Sequence, residues 1–226
     1  MKSYFEGKKV ELPCKELYEM YLDKERTAVL TVDMHKGHLA EDPECPAPAS
    51  RGREIIEPIN HFTEECRKRG IPVIHVRSVL RKDGADDIKG NISAWRVLRM
   101  YREDAKSISE TDSHGLEGSK WIEFCLDVKP EDYIIDGKKR LSAFYPTDLE
   151  LLLRNMKKDI IVITGALTDC CILSTTIEGA NHDFRMVVPK DLTRGYKPYE
   201  ESALGIISRY FGLVVDSIDL LNEWDK

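Results

Sequence analysis

Six short apolar runs, rich in β-branched residues and separated by longer amphipathic stretches, constrain this chain more than any other feature. They occupy residues 28–32, 71–76, 133–135, 160–163, 184–188 and 213–215. The runs are continuous instead of alternating, which is the pattern of strands covered on both faces. Between them, residues 53–69 space Ile55, Ile56, Ile59, Phe62 and Cys66 at helical intervals, and Gly70 ends the stretch. Residues 147–157 open with Thr147 and Glu150 as a capping box. Residues 170–182 and 200–211 also read as helices. Strand–helix–strand repetition predicts an α/β fold: a three-layer open sheet of about six mostly parallel strands with helices on both faces. We expect one domain over 1–226, with 1–25 as an N-terminal extension. The charged stretch 77–128, with Gly84, Gly90, Gly115 and Gly118, reads as a long connection that lids a site or joins a subunit interface.

Charge narrows the function classes. The chain carries 34 basic and 40 acidic residues, a net charge of −6, which disfavours a nucleic-acid surface. No apolar run approaches the roughly 20 residues needed to span a bilayer. The first residues lack a secretory apolar region, so the expected location is the cytoplasm, with the six cysteines reduced. No C-x-x-C zinc spacing occurs among them.

Sites in open parallel sheets form beyond the carboxyl ends of the strands. That rule selects the ground after Val32, Ile135 and Ile163. Asp33 stands at the first place, as a general base or as a turn aspartate. His35 and His38 share its loop, as metal ligands or as hydrogen-bonded loop histidines. Lys138 follows the third run, as the electrostatic partner of a nucleophile or as a solvated turn lysine. Cys171 follows a glycine and a Thr-Asp turn at the start of a helix, where the dipole lowers a thiol's pKa. A small core residue would also suit that junction.

Three segments then match a known pattern. They are Val32-Asp33-Met34; Lys138-x-Arg140-x-Ser142-Ala143-Phe144 with Thr147-x-Leu149; and Gly165-x-x-Thr168-x-x-Cys171-Ile172 with Thr175 or Thr176. In order and spacing the chain resembles the isochorismatase-like cysteine hydrolases from about residue 26 to 220. The resemblance implies Asp33 as base, Lys138 as electrostatic partner and Cys171 as nucleophile. It also implies a cis peptide at Ala166–Leu167, with the N–H groups of Leu167 and Cys171 as an oxyanion hole. The implied activity is cleavage of a C–N bond in a small amide or N-carbamoyl compound, without a cofactor, in a homodimer or homotetramer. Vinyl-ether hydrolysis and a non-catalytic binding role are the alternatives. The Asp-x-His pattern of metal-dependent nicotinamidases is missing from His75-Val76-Arg77-Ser78, so no metal is expected. Trp95, His114, Tyr145 and Arg194 are the loop residues expected to line the substrate cleft.

Overall fold

The computed structural model describes residues 1–87, 89, 92–98 and 113–226. Gly90 and much of the 77–128 connection lie outside them. Among the described residues nine strands form one sheet: β1 Lys2–Phe5, β2 Lys8–Glu11, β3 Thr27–Val32, β4 Val73–Ser78, β5 Tyr133–Lys138, β6 Ile160–Ala166, β7 Arg185–Pro189, β8 Thr193–Arg194 and β9 Gly212–Val215. The α-helices are α1 Lys15–Tyr21, α2 Lys36–Leu39, α3 Ile56–Lys68, α4 Ala94–Leu98, α5 Leu149–Asn155, α6 Leu173–Asn181, α7 Lys197–Tyr210 and α8 Ser217–Trp224. Strand order is β2-β1-β9-β7-β6-β3-β4-β5, with the two-residue β8 beside β6.

All six predicted strands are present and pair in parallel. Every residue of β3 and β6 is buried. Val29, Ile160 and Val162 face a core layer with Ile59 and Phe62 of α3 and Trp224 of α8. Leu30, Ile161 and Ile163 face a second layer with Leu149 and Leu153 of α5 and Leu204 and Ile207 of α7. Two covered faces explain why the runs are continuous.

The strand count exceeds expectation at three places. Glu6 (φ 49°) and Gly7 (φ 80°) make the two-residue, left-handed turn that a hairpin requires. This folds the N-terminal extension into β1–β2, which adds antiparallel to β9 through Tyr4 and Val214. The hairpin alternates too few apolar residues to register as strands. The third addition, β8, is too short to have a pattern. The helix predicted at 147–157 begins at Leu149: the Thr147 hydroxyl accepts from Leu149 N–H, while Glu150 turns outward to His182 and Arg154.

Beneath β4, Asp132 is a buried hub. It accepts from Arg67 Nε and Nη2 (2.9 and 2.7 Å), from Lys129 N–H (2.7 Å) and from His75 Nε2 (3.0 Å). Burial raises its carboxyl, but Arg67, the Lys129 amide and His75 together hold it below the usual range. A depressed carboxyl contributes its full stability above the unfolded-state value and loses it as pH falls through the native value. Asp132→Asn is therefore expected to cost about 2–4 kcal/mol at neutral pH. In denaturant titrations, the gap between wild type and variant should shrink below about pH 4; a gap that stays constant there would refute the charge-based account.

Candidate active site

The chain builds β3, β4 and β5 outward in one direction, then returns to β6 on the other side of β3. The carboxyl ends of β3 and β6 therefore flank the switch point of the sheet, where crevices open in such folds. Asp33 leaves β3, Ser78 ends β4, Lys138 ends β5, and Cys171 follows β6 within a π-helical turn, Thr168–Ile172, that runs into α6.

Local backbone features aim each group. Asp33 sits at φ 55°, a left-handed conformation that aspartate tolerates better than most residues, and its N–H donates to Val76 O. Gly165, at φ 117°, pairs with Val32; a Cβ there would meet Val32 O at 2.3 Å. Only glycine lets β6 approach β3 so closely. In β5, Arg77 pairs with Asp136 but Ser78 pairs with Lys138, so Gly137 (φ 117°) is an extra residue. In a regular strand Ile135 and Gly137 would share a face. The bulge passes that inward position to Lys138, while Lys139 turns to Val79 O and Asp86.

The groups meet inside the protein. Lys138 Nζ donates to Asp33 Oδ2 (2.6 Å), lies 3.3 Å from Ser78 Oγ and lies 3.5 Å from Cys171 Sγ. The Ser78 hydroxyl donates to Asp33 Oδ1 at 3.2 Å. Asp33 is fully buried and Lys138 nearly so. Burial raises the Asp33 carboxyl, yet the Lys138 ammonium, the His35 and His38 rings and a hydrogen bond from Cys171 together outweigh it and hold the group at about 2. Burial lowers the Lys138 ammonium, but Asp33 and Cys171 raise it above its ordinary value. A hydrogen bond with Cys170 and burial push the Cys171 thiol up, against the pull of Lys138. The resting site therefore pairs carboxylate with ammonium beside a protonated thiol. This departs from the lowered thiol expected from a helix N-terminus: the Cys170 hydrogen bond and the lack of solvent outweigh the dipole.

These residues line a cavity of about 240 Å³. Trp95 and His114 also line it, the Trp95 ring standing edge-on to His114 at 5.1 Å. Tyr145 and Arg194 do not. Tyr145 is exposed because its neighbour Phe144 takes the inward position, stacked on Phe184. Arg194 pairs in β8 with Ala166, and its guanidinium turns away to Glu54 at 2.9 Å. The Ala166–Leu167 peptide is cis. Several wall residues escaped the sequence reading, Ser78 and Asp87 among them. Ser78 stands at a strand end that the carboxyl-end rule also covers, after the 71–76 run. Asp87 lines the cavity from the irregular connection, where no periodicity marks it, and is held by a buried ion pair with Arg96 (2.7 Å). His35, His38 and His114 converge beside Asp33, each offering a nitrogen within 4.8 Å of the others. Burial, then His38, lowers His35 to about 3; burial and the two neighbouring rings push His114 well below its ordinary value.

The fold and site thus define an α/β protein with thiol, carboxylate and ammonium at the switch point of a parallel sheet. The chain belongs to the isochorismatase family: the Isochorismatase domain model matches residues 27–219. It is 34% identical over 202 residues to the ureidoacrylate amidohydrolase RutB of Methylorubrum extorquens, covering 86% of this chain and 81% of that protein. It is 25% identical over 167 residues to the N-carbamoylsarcosine amidase of an Arthrobacter species, covering 74% of this chain but only 58% of that enzyme. A cysteine hydrolase structure from Pseudomonas syringae pv. phaseolicola superposes with TM-score 0.77 at 23% identity, covering 90% of this chain and 94% of that one. No helix among the described residues is long and apolar enough to cross a membrane.

Lys138→Met would leave Asp33 buried without its counter-ion and is expected to cost about 3–5 kcal/mol in denaturant unfolding. Adding Asp33→Asn should recover much of that loss, because the uncompensated charge is then gone. A double variant as unstable as the sum of the singles would mean the pair is not energetically coupled. Separately, Gly165→Ala should cost about 2–4 kcal/mol, measured the same way, because its Cβ has no space and its φ disfavours a side chain.

Proposed function

We propose that this protein is a cysteine-dependent amidohydrolase that cleaves the C–N bond of a small amide or N-carbamoyl compound and releases ammonia through a thioester. The observation that carries this reading is the contact of thiol, carboxylate and ammonium in one small cavity. The names of the amidohydrolase relatives support the reaction class.

In this mechanism the Cys171 proton passes to Asp33 as sulfur attacks the substrate carbonyl and the S–C bond forms. The carbonyl oxygen takes the negative charge and is met by the N–H groups of Leu167 and Cys171. Lys138 keeps its proton and balances the charge as it moves from carboxylate to oxyanion. The tetrahedral species collapses, the C–N bond breaks, and Asp33 returns the proton to the departing nitrogen. Water then attacks the thioester and gives a proton to Asp33. The C–S bond breaks, the acid leaves, and Asp33 reprotonates the thiol. A carboxylate held near 2 is a weak base at rest. Its basicity rises as the site's negative charge shifts to the oxyanion beside Lys138.

Vinyl-ether hydrolysis has no use for a thiol placed against the base, and so ranks second. The test is ammonia release from a panel of nicotinamide, N-carbamoyl amino acids, biuret, ureidoacrylate and maleamate, with wild type beside Cys171→Ser. Wild type should release ammonia from at least one, and the variant should fall by at least about 10³-fold. A variant within about tenfold of wild type would overturn the nucleophile assignment. Silence of wild type across the panel, with turnover of a vinyl-ether substrate, would favour the second reading.

A further inference from the structure

We propose that His35, His38 and His114 form a binding site for one divalent transition-metal ion of the zinc type, opening onto the catalytic cavity. The Asp-x-His signature whose absence argued against a metal concerns the segment after the second strand. These three rings come from elsewhere: the loop after Asp33 and the far end of the long connection.

Two backbone carbonyls fix the orientation of two of the rings. Trp121 O lies 2.8 Å from His35 Nδ1, and Ala47 O lies 2.8 Å from His38 Nδ1. A carbonyl oxygen only accepts, so both Nδ1 atoms carry the hydrogen. The 3.2 Å approach of Gly37 N–H to His35 Nδ1 cannot then be a true hydrogen bond. His35 Nε2 is left with its lone pair, and His38 Nε2 meets His114 Nε2 within the cluster. This is the arrangement that holds ligating histidines in metal sites, the outer nitrogen anchored and the inner one available. Gly37 fits it, since a Cβ there would meet the His35 ring at 3.0 Å.

The inner ends are set for an ion. His38 Nε2 and His114 Nε2 stand 3.1 Å apart, close to the separation of two nitrogens bound at about 2.0–2.1 Å to a tetrahedral centre. His35 Nε2 is completely buried and has no hydrogen-bond partner, a costly state for a polar atom unless something else meets its lone pair. Asp33 Oδ1 lies 3.8 Å from His35 Nε2. Three imidazoles without a thiolate suit zinc, cobalt or nickel better than calcium or magnesium. His38 and His114 line the cavity and His35 lies behind them, so the open coordination position faces the substrate side. A metal there would hold a water or a heteroatom of the substrate next to the nucleophile.

The test uses the full chain, stripped with a chelator and dialysed against Zn²⁺ or Co²⁺, with bound metal measured by mass spectrometry. Wild type and Cys171→Ser should each retain about one equivalent. His114→Ala should bind at least about 100-fold more weakly, since even outer anchors of a metal site contribute 10–100-fold. Should that variant fail to fold, the Co²⁺ spectrum of wild type decides. An imidazole site gives visible ligand-field bands without sulfur-to-cobalt charge transfer, unchanged in Cys171→Ser. Failure to retain metal, retention undiminished in folded His114→Ala, or a charge-transfer band lost with Cys171 would overturn the proposal. Each is read without turnover, so the outcome is independent of the amidohydrolase reading.

Discussion

The buried pair of Lys138 and Asp33 is the constraint around which the site is organised. A charge removed from water is tolerable only when met by an opposite charge and by hydrogen bonds. Here one carboxylate oxygen faces the ammonium and the other faces the Ser78 hydroxyl. The thiol is the third body in the cluster, close enough to Lys138 that any negative charge it acquires is already balanced. Each partner is delivered by a different strand. The parallel pairing of β4 with both β3 and β5, and of β3 with β6, therefore has to be in register before the ion pair can exist.

That requirement explains the backbone irregularities. A left-handed aspartate, a close-packed glycine in β6 and a bulge in β5 all lie at the same end of the sheet. Along β3 and β6 themselves every residue is buried. Regular pairing supplies a rigid base, and the departures re-aim side chains at its rim. Trp95, His114 and Asp87, the last backed by Arg96, complete the wall from the long connection, so the ion pair and the thiol come from strand ends while part of the pocket's shape comes from a loop.

Much of this was legible in the sequence because the signals were strong in kind. Continuous β-branched runs suit parallel strands covered on both faces, and the six they marked are the parallel strands of the sheet, although the edge strand β5 leaves Tyr133 and Ile134 exposed. Asp33, Lys138 and Cys171 were visible through strand-end position combined with motif spacing. Other features gave no such signal. The β1–β2 hairpin rests on a Glu-Gly turn between mostly charged residues. Arg194 looked like a ligand for a carboxylate, but Glu54, 140 residues earlier in the chain, claims it. Tyr145 looked like an aromatic wall, but Phe144 won the interior. The meeting of His35 and His38 with His114 depends on how a long irregular segment folds back, which no periodicity encodes.

Ser78, Lys138 and Cys171 follow Asp33 along the chain in that order, with 105 residues separating the carboxylate from the ammonium and 33 more before the thiol. No contiguous fragment carries the chemistry. During synthesis Cys171 is the last of the four to emerge, and β3, the strand it must dock beside, has by then long left the ribosome. An unfolded or half-made chain therefore carries Cys171 as an ordinary cysteine, and only completion of the central sheet converts it into a group with a base and a counter-ion. Under the proposed mechanism, topology acts as a safety catch on the nucleophile.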